Sequence, residues 1–216
     1  MRTEPSLTVA PPSIPGPALD AEKTAALIRA GELFHQRGWV PATGGNFSYR
    51  VDSKRLAVTA SGWHKGELKP ESLMIVDLEG RPEEPARKSS AETLLHCQIY
   101  RRLPQVGGVL HTHSVASTVL SRRLDKVTLK GYELLKVFDG IRTHETEIDV
   151  PVFENDQDIA RLARAVDKEM DRGGAAQAYL IRGHGLYTWG KSVDEARHRV
   201  EALEFLFECE FRGGVQ

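Results

Sequence analysis

The sequence predicts an α/β domain whose helices are layered on a mainly antiparallel or mixed sheet. Segments with apolar residues at helical spacing alternate with short runs rich in β-branched and aromatic side chains. Several of those runs follow one another through turns too short for a helical crossover, so the strands they form pair antiparallel. With 216 residues, 40% hydrophobic and 27% charged, the chain suffices for one well-buried core. No internal repeat is present.

Residues 1–19 carry Pro5, Pro11, Pro12, Pro15 and Pro17 with few large apolar side chains. That composition predicts a disordered tail, leaving 20–216 as a single domain. Asp20 is the expected N-cap of the first helix, in which Ala26, Leu27, Ala30, Leu33 and Phe34 share a face and Gly38 supplies the stop. "NFSYRV" and "RLAVTA" flank the turn "DSK", and "LMIVDL" adds a third strand to this meander. "SAETLLHCQIYRRL" is a helix with Ser90 as N-cap, "VGGVLHTH" a strand and "SVASTVLSRRL" a helix. "TEIDVPVF" is a strand whose Pro151 favours an edge or a terminus. An amphipathic helix over "NDQDIARLARAVDKEMDRG" precedes the buried strand "AQAYLIRG" and its hairpin partner "LYTW". The last helix carries Val193, Ala196, Val200, Leu203 and Phe207 near helical spacing.

A formal net charge of -1 leaves no broad basic field for a nucleic-acid backbone. Cys97 and Cys209 are far apart and form no C-x-x-C spacing, as expected of reduced thiols. No apolar run is long enough to cross a bilayer and no basic-then-apolar leader is present, so the expected location is the cytoplasm.

The chemistry concentrates at a few polar positions. His111 and His113 stand two apart at a strand end, on the same side of a period-two element, where two imidazoles can converge on one ion. His184, between Gly183 and Gly185, is a third candidate ligand, although a tight turn uses such a histidine equally well. Three imidazoles favour zinc, or cobalt or manganese, over calcium or magnesium. His35, His144 and His198 lie in charged surroundings and read as solvated, and His64 as a surface-loop residue. His96 follows Glu92 by four residues on one helix face and either orients that carboxylate or packs.

Thr43, Gly44, Gly45 and Asn46 in "ATGGNFS" can surround an anion with backbone N–H groups, a hydroxyl and an amide. Ser61-Gly62, and Ser89 and Ser90 at a helix N-terminus beside Lys88, extend that pattern to a phosphate monoester. Glu92 and Glu133 are the candidate acid/base carboxylates, and spacing does not choose between them.

The ordered set T-G-G-N, S-G, S-S-A-E, H-T-H and R-G-H-G, spanning Thr43 to Glu210, resembles the class II aldolase/adducin family. The resemblance implies a three-layer α/β/α fold, one zinc ion on His111, His113 and His184, and a homotetramer with active sites between subunits. "SSAETLLH", "GYELLKVFDGI" and "YLIRGHGLYTWG" are most like the dehydratase members, whose acid/base glutamate matches Glu133; aldolase members use the one matching Glu92. The chain also stops soon after its last helix, where the aldolases carry a longer tail. The implied reaction is loss of water from 5-methylthioribulose 1-phosphate, through a metal-stabilised enediolate, to 2,3-diketo-5-methylthiopentyl 1-phosphate in methionine salvage. The alternatives are a sugar-phosphate aldolase or pentulose-phosphate 4-epimerase, and a non-catalytic adducin-like binding protein.

Overall fold

The computed structural model describes residues 19–174 and 177–214, so the expected tail, apart from Leu19, lies outside the described residues. Asp20 accepts from the Lys23 N–H and starts α1, Ala21–Gln36, as its cap chemistry dictates. The meander follows as β1 Asn46–Arg50, β2 Arg55–Thr59 and β3 Leu73–Asp77, then α2 Thr93–Arg102, β4 Gly108–Thr112 and α3 Val115–Arg123. The chain continues through β5 Lys126–Lys130, a 3-10 turn at Glu133–Val137, β6 Glu147–Phe153, α4 Ile159–Asp171, β7 Ala178–Ile181, β8 Gly185–Gly190 and α5 Val193–Gly213.

The eight strands form one sheet in the order β3-β2-β1-β4-β8-β7-β6-β5. All neighbours are antiparallel except β6 and β7, which makes the sheet mixed, as the turn lengths predicted. Period-two alternation puts Val109 against α2 and α4, with Leu95, Ile99, Leu162 and Val166. Its neighbour Leu110 faces Leu27 and Phe34 of α1 and Val200 of α5. Farther along that face, Ala116 and Leu120 of α3 pack with Leu203 of α5. Two helices on one face and three on the other give the three layers.

Three expectations change. The helix assigned to Ser90 starts at Thr93 with Glu92 in the cap position, so the Ser89-Ser90 turn lies before the helix rather than at its first N–H groups. Here the Ser90 hydroxyl accepts from the Glu92 N–H at 3.3 Å, a local turn that competes with helix formation. Pro151 does not lie in an edge strand, since β5 covers β6; but β6 meets β7 only at Val152 and Phe153, so the missing N–H takes no bond from that ladder. "KVTLK", not assigned as a strand from sequence, forms β5 with strict alternation of exposed lysines and threonine against buried Val127 and Leu129.

Candidate functional site

The alternation that sorts Val109 and Leu110 also builds the site. His111 emerges on the α2 face, fully buried; Thr112 points the opposite way; His113 lies just past the strand end, where its N–H is held by the Trp39 carbonyl at 2.7 Å. The chain brings His184 to the same place through the β7–β8 turn. Helix α3 pins that turn: the Ser121 hydroxyl accepts from Gly183 N–H and the Thr118 hydroxyl donates to the His184 carbonyl, both at 3.0 Å. Glycine is required at 185, because a Cβ there would sit 1.9 Å from the Thr112 carbonyl oxygen. At Gly45 a Cβ would meet the His111 carbonyl at 2.5 Å, so the glycine loop can lie against the histidine strand only without a side chain.

The three Nε2 atoms converge. His113 and His111 are 2.8 Å apart, and His111 and His184 3.3 Å apart. A tetrahedral ion with bonds of about 2.0–2.1 Å needs nitrogens roughly 3.3 Å apart, so a first-row divalent metal fits this donor set. The His111 Nδ1 lies 2.8 Å from the Leu186 carbonyl, which fixes its N–H there and leaves the Nε2 lone pair for a metal. Burial holds His111 far below the ordinary imidazole range and takes His113 down to about 4, keeping both neutral as ligation requires. Tyr187 stacks on the His111 ring at 3.9 Å and 15°, and Tyr179 stacks behind Tyr187 at 5.0 Å. His111 thus has one accessible orientation.

Glu92 completes the cluster, with carboxylate oxygens 2.9 Å from His184 Nε2 and 3.6 Å from His111 Nε2. Burial alone would raise its pKa; the electrostatic interaction with the adjacent His111 imidazole and the hydrogen bond with His184 bring it down to about 2. This is a carboxylate held ionised beside three imidazoles.

The cluster forms one wall of a cleft of about 420 Å³ lined also by Thr43, Gly44, Gly45, Ser61, Gly62 and Ser90. Six of the eight predicted phosphate residues therefore share one cavity with Glu92, His113 and His184. Asn46 and Ser89 do not line it. Asn46 is buried, with its Oδ1 accepting from His96 Nε2 at 2.8 Å, and Ser89 bridges to Ala60. The Gly44 and Ser61 N–H groups are already bonded to the Pro41 and Lys88 carbonyls, so neither is available for an anion. Lys88 contributes a backbone carbonyl rather than its side chain.

His96 does not bond to Glu92. Burial lowers it to about 3, and it sits in a chain running from the Tyr100 hydroxyl to Ser48, to His96 and to Asn46. His35, His144 and His198 are exposed, as expected, and His64 caps a short turn by accepting from Gly66 N–H. Glu133 stands apart: its side chain is 71% exposed, paired with Lys136 at 2.5 Å and His144 at 3.7 Å, outside this chain's own cleft.

Sequence reasoning missed the other wall, which Asn155 and Gln157 of the β6–α4 loop and Ile159 at the start of α4 supply, and Lys65, which is 2% exposed and also lines the cleft. A lysine within "SGWHKGEL" reads as solvated. Only the packing of the loop against α1 reveals its burial.

A model of the class II aldolase and adducin N-terminal domain matches residues 25–211, almost all of the described chain. The chain belongs to the class II aldolase and adducin family. Among its relatives in this family is the methylthioribulose-1-phosphate dehydratase of Methylococcus capsulatus, 56% identical over 191 residues that cover 88% of this chain and 93% of that protein. The enzyme of the same name from Pseudomonas syringae pv. syringae is 52% identical over 188 residues, covering 86% and 92%. The L-fuculose-1-phosphate aldolase of Thermus thermophilus superposes with a TM-score of 0.70 at 28% identity, covering 88% of this chain and 94% of that one. The structure of YgbL from Klebsiella pneumoniae superposes with a TM-score of 0.76 at 26% identity, covering 90% and 91%.

Proposed function

We propose that the chain is a methylthioribulose-1-phosphate dehydratase of the cytoplasm, acting in methionine salvage with one zinc ion per subunit. It removes water from 5-methylthioribulose 1-phosphate to give 2,3-diketo-5-methylthiopentyl 1-phosphate. One observation carries the reading: His113, His184 and the ionised Glu92 line the same cleft as the hydroxyl-rich loops, with the Nε2 of the buried His111 converging on them. The near full-length identity to dehydratases supports the choice of reaction within the family.

The ion, held by His111, His113 and His184, would supply Lewis-acid polarisation of the C2 ketone and offset the negative charge that develops when the C3 hydrogen leaves. The phosphate lies against the Thr43, Ser61 and Ser90 hydroxyls and the Gly45 and Gly62 backbone, Gly44 lining the cleft without a free N–H, while Asn46 and Ser89 brace those loops from behind. Glu92, held ionised, accepts the C3 proton. Glu133 delivers a proton to the C4 hydroxyl, which departs as water, and the resulting enol tautomerises to the diketone. Because Glu133 is outside this chain's cleft, it acts across a subunit boundary, in a homotetramer with composite sites. The cleft walls carry no basic field and no helix among the described residues is long and apolar enough to cross a membrane, which suits a small phosphorylated ketose.

Incubating the metal-loaded protein with 5-methylthioribulose 1-phosphate and following the mixture by mass spectrometry tests the reading. A product lighter by one water supports it. Release of an aldehyde and a triose phosphate assigns the cleft to retro-aldol cleavage instead, the same carbanion chemistry with the C4 hydroxyl proton removed.

A further inference from the structure

Lys65 is a charged group whose surroundings do not explain its burial. Its side chain is 2% exposed, and its Nζ donates at 2.7 Å to the Thr43 carbonyl and at 2.7 Å to the Trp63 carbonyl. Among the described residues no carboxylate lies within ion-pairing distance of it; the negative charge it feels is that of Glu92. A buried ammonium without an ion pair is costly, and two neutral carbonyls compensate it in part only. An ammonium has three N–H donors, so a third remains. Lys65 lines the same cleft as Thr43, Ser61 and Ser90, and its two anchors tie together the loops that carry Thr43 and Ser61.

The cleft gives that third donor a purpose. Among the described residues that line it, Lys65 is the only lysine or arginine, while Glu92 adds a negative charge. Two of the backbone N–H groups that could have met an anion are bonded internally, at Gly44 and Ser61. Hydroxyls and glycines alone would leave a phosphate monoester dianion with dipoles and no counter-charge. We propose that Lys65 is a phosphate-binding residue, whose third N–H meets the phosphate of the substrate between the Thr43 and Ser61 loops. The inference rests on the reading of the cleft as a ketose-phosphate site. Burial lowers the free lysine to about 8, and a bound dianion would restore its proton affinity. The stem, held between two carbonyls, orders the donor before substrate arrives and so reduces what binding must fix.

The test compares the zinc-loaded parent with Lys65→Met and Lys65→Arg, using inorganic phosphate as a competitive inhibitor of turnover. Loss of a charge-assisted contact raises the phosphate inhibition constant and KM together, on the order of ten- to a hundredfold. Zinc content is unchanged, kcat changes by less than about threefold, and Lys65→Arg recovers part of the phosphate affinity. A purely structural tie between the two loops predicts the opposite: a lower melting temperature with phosphate inhibition within about twofold of the parent, which overturns the inference while leaving the cleft reading intact. If inorganic phosphate does not compete in the parent at all, both readings fall. Should Lys65→Met not fold, a crystal structure of the parent with phosphate decides: Nζ within hydrogen-bond distance of a phosphate oxygen supports the assignment, and phosphate bound elsewhere refutes it.

Discussion

Glu204→Gln is the substitution whose effect can be worked out furthest. Glu204, on α5, is 1% exposed and accepts a 2.5 Å bond from the Thr112 hydroxyl, so it holds the middle residue of the H-T-H segment from behind. Among the described residues its second oxygen has no partner within hydrogen-bonding geometry, the Ser114 hydroxyl being its polar neighbour. Burial raises its pKa from 4.5 to about 7. A carboxyl raised in the folded state binds its proton there while the unfolded chain has already lost it, so stability falls as pH rises from the unfolded value to the folded one. That rise in proton affinity corresponds to about 3 kcal/mol, lost progressively between about pH 4.5 and pH 7 and not recovered above. Glutamine keeps an acceptor for Thr112 and cannot ionise. Urea unfolding of parent and variant at about pH 5 and about pH 8, at equal metal loading, gives the difference directly, because metal effects common to both proteins cancel. The parent should lose about 2–4 kcal/mol relative to the variant between those two values. Parallel pH dependences would show that Glu204 is ionised in the folded protein and that the reasoning is wrong.

Gly185→Ala places a Cβ 1.9 Å from the Thr112 carbonyl oxygen, which only a backbone shift between the β4 and β8 ends can relieve. Metal affinity, measured by competition with a chromophoric chelator, should fall at least about tenfold because the ligand-bearing segments move apart; unchanged affinity would show that the turn accommodates a side chain. The proposed composite sites make a second prediction. His184→Ala and Glu133→Gln, each inactive alone, should regain activity when co-expressed, at about a quarter of the parent's sites for random assembly. Absence of recovery in demonstrably mixed oligomers would confine the chemistry to one chain and remove Glu133. Finally, His96→Leu should cut kcat/KM about tenfold with zinc content preserved, since the Asn46 amide loses the partner that orients it; unaltered kinetics would reduce that chain of bonds to core packing.

What was legible in the sequence followed from local rules. Period-two alternation placed His111 and His113 on one side, and the paired glycines marked His184, because in both cases the constraint lies within a few residues. Capping chemistry located α1, where Asp20 accepts from the Lys23 N–H. The Ser90 helix start failed because the same hydroxyl chemistry that caps a helix also closes a turn. Elsewhere the missing information was long-range. The convergence of Glu92 on His184 joins residues from opposite halves of the chain, and the burial of Lys65 depends on which loop packs over it. His96 had two candidate roles on sequence grounds, and the register of β1 beside α2 gives it other partners: it bonds Ser48 and Asn46. The distance of Glu133 from this chain's cleft has no sequence signature either, since an exposed glutamate paired with Lys136 and His144 reads like any solvated one.

Water loss should depend on the ion that the histidine triad is proposed to hold, and a metal titration tests this most directly. Stripped protein is titrated with zinc, and the rate of formation of the diketone from 5-methylthioribulose 1-phosphate is followed alongside bound metal, for the parent and for His184→Ala. Activity should be absent at the start, rise in proportion to zinc and stop rising at one equivalent per subunit, with His184→Ala remaining folded, binding weakly and staying inactive. Full activity in the stripped parent, or in folded zinc-free His184→Ala, would contradict the role assigned to the triad.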